Sequence, residues 1–148
     1  MVDESRAAEI LDRYPPLREM QAVPLFRDLG YRFSDAGEGW CEIRFVASER
    51  AMNLYGIVHG GVWLLLSDSA MGGALATVQA PGERLIAGQA DFRWLRPLDG
   101  DGIRVRAEVL RRGRSLSHCA SDFYDDRDRH IAHGSGTYVV LPPLPEQG

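Results

Sequence analysis

The stretch from Gly60 to Gln79 constrains this chain more than any other part of it. It is about twenty residues long, rich in Leu, Ala and Met, apolar almost all round, and followed by Pro81-Gly82. A helix with no broad polar face must be covered on most sides, so the segment predicts a buried helix stopped by the Pro-Gly pair. Its longest uninterrupted apolar run, Gly60 to Leu66, is far too short to cross a bilayer. The cover has to come from the rest of the chain. After the helix, Ala90, Phe92 and Trp94 alternate with Gln89, Asp91 and Arg93. Ile103, Val105, Ala107 and Val109 then alternate with Arg104, Arg106 and Glu108. Period two marks half-buried strands, and turn signals about every ten residues suggest a meander. Further strands are expected from about Ser115 to Tyr124 and from Ile131 to Leu141, with a hairpin turn at Arg111–Arg114 in which Gly113 supplies a positive φ.

Before the helix, Trp40 to Ala47 alternates in the same way, with Cys41, Ile43 and Phe45 on one side. A lead-in from Pro24 to Gly39 carries one strand near Leu29–Ser34. Met1 to Tyr14 reads as a short amphipathic helix ending before Pro15-Pro16. The expectation is therefore an α+β fold, one long buried helix wrapped by a curled antiparallel sheet of five to six strands. The 148 residues form one domain, with residues 1–23 as a helical lead-in and 143–148 as a tail. A net charge of −4 argues against a general nucleic-acid partner. The N-terminal charges leave no signal-peptide core. Cys41 and Cys119 lack metal or disulfide spacing and read as buried reduced thiols. No membrane partner is expected, and the cytoplasm is the expected location.

Asp68 is the most informative single residue. It lies two turns into the apolar helix, too far in to be an N-cap. Its helical neighbours Leu64, Leu65, Met71 and Gly72 include no cation. A carboxylate on a buried helix is costly, and costly groups cluster at functional sites. The alternative is a narrow solvent-facing stripe shared with Ser67 and Ser69, or a hydrogen bond to a neighbouring strand. The run Asn53 to Gly61 forms the second element, ending in Gly60-Gly61 where the helix starts. Glycines there admit close approach of a ligand, and unpaired N–H groups at the positive end of the helix suit a developing oxyanion. A purely structural turn would look the same.

Taken together, Asn53-x5-His59-Gly60-Gly61-x6-Asp68 resembles the PaaI-like (phenylacetate-pathway) branch of hot-dog acyl-CoA thioesterases. Three further stretches are similar to that family: Phe92-Arg93-Trp94-Leu95-Arg96-Pro97, Gly113-Arg114-Ser115 and Ile131–Thr137. The resemblance runs from about Gly37 to Pro142. It implies a homodimer, joined as a dimer of dimers, with active sites between subunits. It also implies that the Gly60 N–H polarises the thioester carbonyl, while Asp68 of the facing subunit attacks it or activates water. Asn53 would orient water or the leaving thiolate, and His59 would shape the loop. Gly61 and Ser115 would lie at the substrate. One departure is that Ala87 stands where relatives carry Ser or Thr, so a supporting hydroxyl is absent or supplied by Ser67 or Ser69.

The expected reaction is hydrolysis of acyl-CoA, with no cofactor beyond the substrate's own coenzyme A. A thioester is activated enough that a carboxylate and one oxyanion donor can suffice, and no G-x-S-x-G elbow is present. The rivals are a hot-dog hydratase or dehydratase on enoyl- or hydroxyacyl-CoA, and a non-catalytic acyl-CoA-binding protein. Arg111, Arg112 and Arg114 either hold coenzyme A phosphates or form a solvated turn. Trp63, Met71, Phe92 and Trp94 line a pocket or, as aromatics at such spacing more often do, fill the core. His130 and His133, three apart on a strand, should face opposite sides, and no metal is expected.

Overall fold

In a computed structural model, which describes residues 1–145, three short helices precede the sheet: α1 Glu4–Arg13, α2 Pro15–Gln21 and α3 Pro24–Leu29. The expected tail at 143–148 falls partly outside the described residues. Asp3 caps α1, its carboxylate accepting from the N–H groups of Ser5 and Arg6, and Ala7 and Ile10 form the buried stripe. Pro15-Pro16 ends α1 as expected but also begins α2, because proline suits the first turn, where no N–H is needed. Pro24 opens α3 in the same way, so the first six residues of the lead-in from Pro24 are helical, and the strand expected near Leu29–Ser34 starts at Arg32.

The strands are β1 Arg32–Gly37, β2 Trp40–Val46, β3 Arg84–Trp94, β4 Gly102–Arg112, β5 Leu116–Asp125 and β6 His130–Leu141. They form one antiparallel sheet in the order β1-β2-β4-β5-β6-β3. This departs from a simple meander. The strand after the long helix crosses to the far side and pairs with β6, and β4 takes the place beside β2. The alternation read from the sequence holds where it faces the helix: Cys41, Ile43, Phe45, Ile103, Val105 and Ala107 are buried.

The long helix, α4, runs Gly60–Ala76. It stops short of Pro81 because the Thr77 hydroxyl bonds the Ala74 carbonyl and itself accepts from the Gly39 N–H, tying the helix end to the β1–β2 turn. The helix sits so close to the sheet that a Cβ on Gly73 would lie 2.5 Å from the Phe33 ring, and one on Gly134 2.3 Å from the Ser67 hydroxyl. The reading of α4 as buried nearly all round needs correction. Gly61, Leu64 and Asp68 are exposed, with Leu65 and Gly72 half-buried, a stripe at helical spacing. Beside the stripe lies the edge strand β3, whose residues 86–91 are all exposed.

Two local expectations fail for backbone reasons. Gly113 is not at positive φ. Glycine is needed there because a Cβ would lie 2.1 Å from the Leu116 carbonyl oxygen. His130 and His133 do not face opposite sides. Tyr124 pairs with His130 and Phe123 with Ala132, so Ile131 is an extra residue, a bulge that reverses the alternation. Both imidazoles consequently reach Asp122 on the sheet face away from α4.

Candidate active site

The approach to α4 is organised by side chains reaching back to the backbone. The Asn53 amide oxygen accepts from the N–H groups of Tyr55 (2.9 Å) and Ile57 (3.4 Å), and Gly56 takes φ +74°. An antiparallel bridge between Met52 and Val58 closes this loop. His59 is the N-cap of α4, its Nδ1 accepting from the Gly61 N–H at 2.9 Å. That bond uses the second N–H of the helix. The first, on Gly60, has no partner among the described residues. A Cβ on Gly60 would meet only Trp94, at 3.6 Å, so packing within the chain does not demand glycine here.

Gly60 lines a cavity of about 640 Å³ together with Met52, Asn53, Trp63, Trp94 and Pro97 among others. Of the four side chains considered for a pocket, Trp63 and Trp94 line it. Phe92 stands behind them, its ring 4.8 Å from that of Trp94 and 6.3 Å from that of Trp63. Met71 is fully buried core.

Asp68 is exposed in the single chain, which removes the premise that it is a buried charge. It is hydrogen-bonded to a neighbouring strand, one of the two alternatives the sequence left open, through a residue that the sequence did not single out. The Tyr138 hydroxyl donates to Asp68 Oδ1 at 2.7 Å and lies 3.0 Å from its main-chain oxygen. Burial first, and then the charge of Asp68, push the Tyr138 hydroxyl far above its ordinary range, so it stays a donor. Tyr138 stands directly across from Ala87 in the β3–β6 ladder. The hydroxyl missing at Ala87 is thus matched by one on the neighbouring strand. Ser67 and Ser69 do not serve, since both are buried and bonded elsewhere, to Ser121 at 2.8 Å and to Tyr31 at 3.3 Å. The signal for Tyr138 was available, because it shares the inward phase of β6 with Gly134 and Gly136. A tyrosine aimed inward needs a polar partner for its tip.

The β4–β5 turn separates its three arginines. Arg112 pairs with Glu83 and with the Gly113 carbonyl, and its Nε is buried without a partner. Arg111 and Arg114 are exposed and have no ion-pair partner among the described residues. Ser115 is exposed beside them, its carbonyl accepting from the Val140 N–H. Cys41 and Cys119 are buried and free. Burial pushes the Cys119 thiol up to about 12, and Cys41 higher still, which makes both poor nucleophiles.

A single antiparallel sheet curled around one long helix, with a free N–H at the helix start, defines a hot-dog thioesterase fold. The sequence model described as the acyl-CoA thioesterase N-terminal domain matches residues 49–139, and the chain belongs to that family. It is 26% identical over 116 residues to a "Putative esterase" of Saccharolobus solfataricus, covering 78% of this chain and 77% of that protein. A thioesterase family protein from Silicibacter pomeroyi superposes with a TM-score of 0.82 at 25% identity, over 88% of this chain and 98% of that one. The PaaI protein of E. coli, from the phenylacetic acid degradation operon, shares the fold with a TM-score of 0.79 at 18% identity, over 90% and 96%.

Proposed function

We propose that this protein hydrolyses acyl-CoA thioesters to the free acid and coenzyme A, with Asp68 as nucleophile or general base and the Gly60 N–H as oxyanion donor. The observation that carries the reading is the unpartnered Gly60 N–H at the cavity, left free because His59 takes the N–H of Gly61. Negative charge developing on the thioester oxygen is stabilised by that N–H and by the positive end of α4. Asp68, or a water it deprotonates, adds to the carbonyl carbon. The tetrahedral species then collapses with expulsion of the coenzyme A thiolate. Asn53 keeps its amide N–H groups free for water or the thiolate, since its oxygen is committed to the loop. His59 acts through the loop it caps.

Gly60 and Asp68 lie eight residues apart on one helix, about 12 Å at 1.5 Å per residue. They cannot meet at one carbonyl within a protomer. A complete site therefore needs Gly60 of one protomer and Asp68 of another, which the exposed stripe of α4 and the open edge of β3 support. The assembly we propose is a homodimer, paired further into a dimer of dimers. Arg111 and Arg114, with Ser115, are the groups we assign to the coenzyme A phosphates, with Arg112 bracing the turn from its pair with Glu83. No cofactor is required, and no helix among the described residues is long and apolar enough to cross a membrane. The two buried free thiols agree with the reducing cytoplasm as its compartment.

Asp68→Asn keeps the acceptor for Tyr138 but removes charge and basicity. It should lower kcat by roughly 10²-fold or more with the melting temperature almost unchanged. Steady-state hydrolysis of a panel of short, long and aromatic acyl-CoAs, alongside thermal unfolding of the same preparation, is the test. Parental turnover in the variant would remove Asp68 from the mechanism. Hydration of enoyl-CoA without hydrolysis would replace the thioesterase reading altogether.

A further inference from the structure

We infer that Asp122, His130 and His133 form a binding site for one divalent transition-metal ion, with zinc as the reference case, on the sheet face away from α4. The three ligand atoms lie within 4.8 Å of one another. His130 Nε2 and His133 Nδ1 each stand 2.8 Å from the same oxygen, Asp122 Oδ1. No arginine pairs with Asp122 among the described residues, so the carboxylate is held by the two imidazoles alone.

The convergence has a backbone cause. Regular alternation would put residues 130 and 133 on opposite faces, and the bulge at Ile131 brings them onto one. Their neighbours on the other face are fixed. Ser121, Phe123, Ala132 and Gly134 are buried under α4, and the Ser67–Ser121 hydrogen bond anchors that side. The strands thus hold Asp122 and both histidines facing solvent and side by side. The Tyr124 ring lies 5.3 Å from the His130 ring, inclined by 32°, and braces it.

Two imidazole nitrogens and one carboxylate oxygen suit zinc, nickel or copper and are poor for calcium or magnesium, which prefer oxygen alone. The side chains are one-third to two-fifths exposed, which leaves room for water to complete the coordination. On binding, the ion replaces the two N–H bridges to Asp122, and each neutral ring carries its proton on the other nitrogen. Arg106, opposite Asp122 in the ladder, and Arg93, opposite His133, are the nearby cations that weaken the attraction. Arg106 is partly withdrawn, its guanidinium lying 3.4 Å from the centroid of the Trp40 ring.

The test is calorimetric titration of ZnCl2 into the chelator-stripped protein at neutral pH, with thermal unfolding in parallel. The parent should take up one zinc per protomer and melt at a higher temperature with zinc than without. His130→Ala and His133→Ala should each weaken binding by about tenfold or more, and the double variant should lose the zinc-dependent rise in melting temperature. His118→Ala, on the same sheet face and bonded to Thr137, should bind zinc like the parent. Circular dichroism identifies any variant that fails to fold, and Asp122→Asn provides a third, independent loss of one ligand. Absence of zinc uptake by the parent overturns the site. So does undiminished uptake by a folded double variant, or an equal loss in His118→Ala.

Discussion

Tyr138 gives Asp68 a fixed direction. A carboxylate on an exposed helix surface has several rotamers open to it, and a buried hydroxyl 2.7 Å from one oxygen selects among them. Tyr138→Phe removes that hydroxyl and little else. A hydrogen bond to a charged group contributes about 1.5–3 kcal/mol, so kcat should fall by about tenfold or more while KM stays within about twofold. The same substitution made on Asp68→Asn should have almost no further effect on kcat, because the group it positions is already disabled. Equal losses in both backgrounds would make Tyr138 a packing residue only.

At the level of elements, the two hairpin turns that follow β4 and β5 are held in different ways. In the β5–β6 turn, Asp125 is buried, which by itself would raise its pKa. The Arg129 guanidinium and the N–H groups of Arg129 and Arg127 outweigh this and hold the carboxyl below its usual range. A depressed folded pKa contributes stability that is present above the unfolded pKa and lost as pH falls through the folded one. Asp125→Asn should therefore lower the melting temperature at pH 7, and the gap from the parent should close as the pH drops through about 4 and below. In the β4–β5 turn, Arg111 and Arg114 are exposed and have no ion-pair partner among the described residues. Replacing both by Ala should raise KM for acyl-CoA and leave kcat nearly unchanged. The effect should vanish for a pantetheine thioester, which lacks the nucleotide. Equal losses on both substrates would make this turn a folding element.

For the whole molecule, the two edges of the sheet differ. α1 guards β1, with Arg6 bonded to Asp35 at 2.7 Å and to the Ala36 carbonyl. β3 is eleven residues long, carries no proline and has no such cover among the described residues. Long bare edges recruit another strand. Leu64 (40% exposed) on α4 and Ile86 (49%) on this edge strand are large apolar side chains left open to solvent. Glutamate at both positions should give a folded monomer by sedimentation, with hydrolysis lost, and the parent should sediment as a dimer or larger. An active monomer would exclude a site shared between protomers.

What the sequence determined by itself was whatever rests on local periodicity and short-range chemistry. The apolar run at 60–79 gave the helix, period two gave strand faces, and the spacing from Asn53 to Asp68 singled out the helix start. These signals survive without knowledge of any distant contact. Strand order was not of this kind, because the crossing of β3 to β6 depends on which edge the sheet leaves open once it curls. The bulge at Ile131 could not be read either, since one extra residue changes the face of a side chain without altering composition, and it brings His130 and His133 together at Asp122. The exposure of Asp68 and its bond to Tyr138, seventy residues away, were likewise decided only by the sheet closing over the helix. Periodicity says which way a side chain points from its own element. What it meets there depends on long-range pairing, which only the tertiary structure supplies.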